Sequence, residues 1–378
     1  MNSISLENVH QNPRFANLIS CILEVEDFRS DRNKVYSLEC IIILAICALL
    51  GGANNIVEIA NFGNDHKEWF MPLFGLKDRM PSHDTINAAL GLVLPQQLEL
   101  WLTIWLEGAD NNINDHIKID GKVIRTYSSD DPLCIVRGWI DRLKVVVGSV
   151  RVAKHSNEIT AIPTLLDKLC LKGKIVTIDA IGAQKNIVSK IRAHGTDYLI
   201  TLKGNQHQFY KDVKDYLIDV SEKTFDDIPA NYSWSEDCDH GRREVREYWA
   251  TDDIGWLEQK PEWAGLRNIA LVKSTVVKKG KQAVAMRCYI SSLPPHAARI
   301  LCLSRAHWSI ENKLHWHLDT AMDEDRSTIR KFNTPMNMSA LRCFSLSKLH
   351  KSPINRSIQG KRNMITTSQS ALWETLIN

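Results

Sequence analysis

The stretch HIKIDGKVIR (residues 116–125) admits two incompatible readings. Asp-Gly between short apolar runs is a strong signal for a tight β-hairpin turn. That reading leaves arms of about three or four residues, which are marginal on their own. The alternative carries Asp120 in mid-strand, on the same face as Lys118 and Lys122, with Gly121 as clearance for a metal or a DNA backbone beside the carboxylate. A second stretch, KIVTIDA (174–180), repeats the order of isoleucine, aspartate and a small residue. It reads as a fully apolar strand of a sheet covered on both faces.

The segments between these two stretches settle how they could meet. PLCIVRGWI (132–140) and KVVVGSVRVA (144–153) read as strands, and EITAIPTLLDKLC (158–170) as a helix with Pro163 near its start. After KIVTIDA come a helix at 183–195, the strand DYLITLK (197–203) and a helix at 206–220. The order β-β-β-α-β-α-β-α predicts a mixed α/β core. Strands joined through a helix run parallel and close together, so Asp120 and Asp179 can approach one another. Singly, each aspartate has a structural explanation, as a hairpin turn or as a helix N-cap. As a matched pair they repel unless a cation lies between them, and hard oxygen donors suit Mg²⁺ or Mn²⁺.

A long helix predicted from about 296 to 320 supplies the third acidic candidate. His307, Glu311, His315 and Asp319 recur every four residues beside an apolar stripe. They read either as a polar face with i,i+4 pairs or, for the first three, as a zinc set. Around this core, residues 1–112 read as a helical domain with possible DNA binding. Residues 113–221 form the first part of the core, 222–294 a β-rich insertion, 295–325 the closing helix and 326–378 a basic tail. In the leader, Ser37 caps a helix at 38–50 that Gly51-Gly52 ends, Ser82 opens another, and Pro95 starts a third.

Bulk properties exclude several classes. Apolar content of 44% with 24% charged residues is that of a globular protein. The longest apolar run, 40–50, is too short to span a membrane, which takes about 18 residues. No secretory signal is legible, and nine cysteines without a C-x-x-C pair point to reduced thiols in the cytoplasm. From Arg326 onward nine basic residues face one acid, Glu374, which reads either as a solvated end or as a site for a polyanion such as nucleic acid.

Further polar stretches offer phosphate contacts. KGNQ (203–206) places Lys203, Asn205 and Gln206 where a strand meets a helix. HGRREVR (240–246) offers Arg242, Arg243 and Arg246; Lys122, Arg330 and Lys331 complete the candidates. KHSNEI (154–159) is equally polar and carries no assignment.

Together these stretches resemble one family, the bacterial insertion-sequence transposases of the Asp-Asp-Glu (DDE) type, and among them the H-repeat-associated group. The matching residues are IKIDGKVIR, HSNEITAIPTLLDKLCLKGKIVTIDAIGAQKNIVSKI, DYLITLKGNQ, HGRREVR, YISSL and HWSIENKLHWHLDTAMDED, with ICALLGGANNIVEIANFG and PSHDTI in the leader. The resemblance implies an α/β fold with a ribonuclease-H-like mixed sheet core, an inserted β-rich domain and an N-terminal α-helical domain. In that core the first and fourth strands lie side by side. It implies a catalytic, metal-binding triad of Asp120, Asp179 and Glu311 with Mg²⁺ or Mn²⁺. The activity implied is cleavage of double-stranded DNA at element ends, followed by strand transfer, by a homo-oligomer on DNA. The broader class has Tyr, Arg and Lys around the catalytic glutamate where this chain has Ser304, His307 and Leu318. Arg137 and Gly138 stand where related sequences have small residues, so a bulky cation is expected beside Asp120's strand. A relic that only binds DNA, or a free-standing metal nuclease on the same fold, would share most of these features.

Overall fold

The computed structural model describes residues 11–107, 116–124, 132–222, 230–239 and 241–377. The boundary drawn at 112/113, Arg125 of the opening stretch and His240 of HGRREVR lie outside the described residues.

One nine-stranded sheet organises the chain. Its strands are β1 (His116–Ile124), β2 (Leu133–Ile140), β3 (Val145–Arg151), β4 (Ile175–Ile178), β5 (Asp197–Leu202), β6 (Asn231–Asp239), β7 (Arg242–Thr251), β8 (Asn268–Lys278) and β9 (Lys281–Ser291). Their order across the sheet is β3-β2-β1-β4-β5-β9-β8-β7-β6. β1 pairs antiparallel with β2 without a break, from Ile117↔Ile140 through Asp120↔Arg137 and Gly121↔Val136 to Ile124↔Leu133. No hairpin turns at Asp120. β1 also pairs parallel with β4, and β4 with β5. The first five strands have the ribonuclease-H-like order, with the first and fourth adjacent. The β-rich residues of the insertion prolong this sheet, because β9 pairs antiparallel with β5.

Helices α7 (Glu158–Lys168), α8 (Lys185–Ala193) and α9 (His207–Glu222) cover one face. Their apolar positions, such as Leu165, Ile187, Ile191, Phe209 and Val213, pack onto Val136, Val176, Ile178 and Ile200. Asn157 caps α7 through its side chain, so the helix starts at Glu158 and Pro163 lies inside it, not near its start. The opposite face meets α10 (Ala297–His307), the π-helical turn Ile310–His315 and α11 (Trp316–Thr320). The expected single helix over 296–320 is therefore interrupted by one wider turn, a feature that often accompanies functional sites.

The leader folds as α1 (Pro13–Leu23), α2 (Leu38–Leu50), α3 (Ile56–Asp65), α4 (Lys67–Phe74), α5 (His83–Leu92) and α6 (Pro95–Glu107). The Ser37 side chain caps α2, which is buried along nearly its whole length. It needs partners all round, and the chain's end provides them. Residues after 326 are not an open basic tail: α12 (Thr334–Lys351), α13 (Ile358–Thr367) and α14 (Gln369–Ile377) pack Leu341, Phe344, Leu346, Trp373 and Leu376 into the leader's core. Several of the basic residues counted there are buried. Arg362 donates to the carbonyl of Leu49, in the last turn of α2, and to that of Ala53 just beyond it, and Arg342 donates to that of Asn54.

Candidate active site

Asp120 and Asp179 are brought together by register. The parallel pairing of β1 with β4 ends at Ile119↔Ile178, and each aspartate is the next residue along the chain, Asp120 still within β1 and Asp179 just past β4. Adjacent strands lie about 4.8 Å apart, so the two carboxylates leave the sheet as neighbours. Asp179 also caps the short helix Ala180–Gly182 through its side chain, bonded to the Ile181 N–H at 2.9 Å. Asp179 is thus a helix cap and at the same time a lining residue of the cavity described next. Glu311 enters from the π-helical turn. All three line one cavity of about 170 Å³, together with Thr177, Lys203, Arg287, His307 and Trp308.

Electrostatics marks Asp120 as the centre. Burial, then the charge of Glu311, push its carboxyl up to about 7, while the 2.9 Å bond from the Gly121 N–H holds it down; Asp179 and Glu158 add further like charge. On its other side, His315 Nδ1 lies 3.5 Å from Asp120 Oδ2. Burial depresses His315 well below the usual histidine range, so it adds an imidazole and no charge. His307 is held at about 4 mainly by burial and shares a 2.9 Å bond with Thr177 Oγ1, which is 2.7 Å from His116 Nε2. The row predicted at four-residue intervals thus runs across β4 and β1: His307 meets Thr177 of β4, Glu311 and His315 act on Asp120 of β1, and Asp319 meets Lys122 of β1. His307 and His315 serve different neighbours, which removes the zinc reading.

The carboxylates fit a hard divalent cation in kind: oxygen donors only, sharing one cavity, with mutual repulsion raising the central member. Among the described residues no three His, Cys, Asp or Glu side chains are already arranged to hold a metal ion.

The expected phosphate contacts divide. Lys203 is exposed and lines the cavity. Asn205 and Gln206 are engaged within the fold: their side-chain amides donate to the carbonyls of Ala180 (2.8 Å) and Ala183 (2.9 Å), bracing the loop that carries Asp179. Lys122 is buried in an ion pair with Asp319. Arg242 and Arg246 both reach Glu244 at 2.7 Å, Arg243 reaches Glu236 at 2.6 Å, and Arg246 also meets Asp237. Their charges are matched by acids of their own hairpin. Arg330 and Lys331 are exposed before α12. Arg137 does not crowd Asp120: it is buried, and its guanidinium turns to Glu324 at 2.9 Å and to Ser339. The space beside Gly121 is taken by the Glu158 carboxylate.

Sequence reasoning missed Arg287, Trp308 and Glu158. Arg287 belongs to β9, far along the chain, and reaches the cavity because β9 pairs with β5; its guanidinium lies 5.4 Å from the Trp308 ring centroid. No local signal marks it. Glu158 lay in a stretch singled out only for polarity.

The sequence pattern of the transposase DDE domain matches residues 140–347. The chain belongs to the DDE transposase family. A second pattern, DDE_Tnp_1-associated, matches residues 19–106, most of the leader. The domain match begins after Asp120, so that aspartate is placed by strand register and by its own motif. Among the relatives, the H repeat-associated protein YhhI of Escherichia coli is 32% identical over 345 residues, covering 88% of this chain and 90% of YhhI. YncI, also of Escherichia coli, is 31% identical over 371 residues, 95% of this chain and 94% of YncI. A protein encoded in the dhlA 3′ region of Xanthobacter autotrophicus is 35% identical over 269 residues, 70% of this chain and 90% of the relative. Among solved structures, the piggyBac transposase synaptic complex with hairpin DNA aligns with 97% of this chain and 80% of its own at 9% identity, with a TM-score of 0.42, too loose to argue from. No helix among the described residues is long and apolar enough to cross a membrane.

Proposed function

We propose that this transposase cuts double-stranded DNA at the ends of its insertion-sequence element and joins the freed ends to target DNA, by in-line phosphoryl transfer at Asp120, Asp179 and Glu311. The observation that carries the reading is the departure of Asp120 and Asp179 from neighbouring parallel strands at one register step, with Glu311 closing the same cavity. Those three carboxylates would hold Mg²⁺ or Mn²⁺, which when bound lowers the pKa of an attacking water or 3′-hydroxyl and neutralises charge on the leaving oxygen. Asp120, on which both other charges act, would be the central ligand of the set. Its raised proton affinity means that proton and cation compete for it up to about pH 7.

Lys203 and Arg287 line the cavity and bind phosphate oxygens there. Arg330 and Lys331 are exposed cations for phosphates further out. Arg242, Arg243 and Arg246 reach DNA only by exchanging their present carboxylate partners. The helical leader recognises the element's terminal repeats, and the protein acts in the cytoplasm as a homo-oligomer on DNA. Arg137, expected to crowd Asp120's strand, is paired with Glu324, which supports the active reading over the relic.

The test is incubation of the full chain with DNA carrying the element's ends and Mg²⁺ or Mn²⁺. Cleavage is expected, with a loss of at least about a thousandfold in Asp120→Asn, as for removal of a group central to the reaction. Equal cleavage by both proteins rejects the role of Asp120. Cleavage of DNA lacking the ends at the same rate favours a free-standing nuclease.

A further inference from the structure

Gly121 sits in the middle of β1, where glycine weakens a strand. Its backbone gives no reason for glycine, because its φ is not positive. The reason is space: a Cβ built on Gly121 would overlap the Glu158 carboxylate, meeting Cδ and both oxygens. The geometry behind this is local. His155 turns the chain with φ +60°, Asn157 caps α7, and Glu158 follows as its first residue. Those steps in KHSNEI deliver a carboxylate against the peptide next to Asp120. α7 also packs on the short helix that follows Asp179, and the charge of Asp179 acts on Glu158. The polar partner Glu158 has among the described residues is the Cys134 thiol at 3.9 Å, a weak donor. A half-buried carboxylate, paired with no cation among the described residues, thus lies within electrostatic reach of Asp120 and Asp179.

Building on the proposed function, we infer that Glu158 is a fourth carboxylate of the metal site, acting with Asp179, and that position 121 is glycine to admit it. The pairing divides the acids by side: Glu311 lines the cavity with Asp120 and Asp179 from the π-helical turn on one face, and Glu158, outside that lining, approaches from α7 on the other. Glu158 would help Asp179 hold an ion at the open end of β4.

Mn²⁺ binding to the full-length protein, followed by electron paramagnetic resonance of the free ion, tests this without DNA or turnover. Glu158→Gln weakens Mn²⁺ binding about tenfold, the lower end for loss of a group supporting a metal site. Gly121→Ala keeps every carboxylate and displaces only the flexible end of Glu158, so it gives a similar loss. The double variant is no weaker than the worse single one, because both changes remove one interaction. Circular dichroism reports whether each variant folds; if Glu158→Gln does not, Gly121→Ala decides. Wild-type binding in the folded variants overturns the inference, as does a loss in Gly121→Ala with none in Glu158→Gln. Asp120→Asn separates the two levels. If it alone loses Mn²⁺, the inference on Glu158 fails and the triad stands; if it also binds as wild type, the proposed metal site itself fails.

Discussion

Lys348 shows how far a residue's position can depart from its composition. In a count of charge it belongs to a basic tail. In the fold it is fully buried on α12, its Nζ has no hydrogen-bond partner among the described residues, and it lies 4.3 Å from the Trp105 ring centroid. Burial, with Lys351 and Arg14 adding like charge, lowers it to about 7 from the ordinary lysine value. The sign follows from proton binding. Between about pH 7 and 10.5 the unfolded chain carries a proton on this amine that the folded chain does not, so stability rises with pH across that window. Below about 7 both states are protonated and the full penalty stays. Lys348→Met is expected to raise stability at neutral pH by about 3 kcal/mol, taking the shift at 1.36 kcal/mol per unit and setting a cation–π contribution against it. Chemical denaturation at several pH values checks this: the gain shrinks toward pH 10. A gain constant with pH would mean that Lys348 is ionised in the folded chain throughout.

At the scale of elements, the aspartate loop after β4 is held from the next strand-to-helix junction. Asn205 and Gln206 stand where phosphate contacts were expected, yet their amides brace the carbonyls of Ala180 and Ala183. Asn205→Ala is expected to slow cleavage about tenfold by loosening Asp179, with DNA affinity and its salt dependence unchanged. Cleavage at saturating DNA and a salt titration of binding separate the alternatives. An unchanged saturated rate with a shallower salt slope would restore the phosphate-contact role. The π-helical turn belongs to this scale too. It carries Glu311 and His315 to Asp120 while Ile310, Leu314 and Leu318 stay in the core shared with the leader. Packing and site geometry are therefore set by one segment.

For the whole molecule, both ends of the chain share a core. α2 is almost wholly buried, and part of its cover comes from α12 and α14. Each large apolar side chain so buried contributes about 1.5–3 kcal/mol, so losing five removes about as much as the roughly 5–15 kcal/mol net stability of a domain. Deleting residues 326–378 is expected to abolish cooperative thermal unfolding and to leave the chain aggregated by size-exclusion chromatography. A truncated chain that unfolds cooperatively at the wild-type Tm would show that the terminal helices are dispensable cover. The buried Arg137–Glu324 pair ties the same helices to the sheet beside Asp120's strand, with Ser339 of α12 bonded to both partners.

Local signals were enough for much of this. Residue periodicity, Ser and Asn caps and the β-α alternation mark nearly every core element, because these depend on neighbours within one turn or one strand. The repeated Ile-Asp-small pattern and the Glu311 helix pointed to the three acids. Register, sheet order and the burial of charge were not legible, because each depends on residues far apart in sequence. That Asp120 is a strand residue follows from its pairing with both β2 and β4. That Arg287 reaches the cavity follows from β9 lying beside β5. Nine basic residues near the C-terminus look alike as letters, and only packing distinguishes the exposed Arg330 and Lys331 from the buried Arg342, Lys348 and Arg362. Gly121 ends in the same class: its sequence context allowed a turn or a clearance, and tertiary structure decided for clearance by seating Glu158 where a side chain would otherwise be.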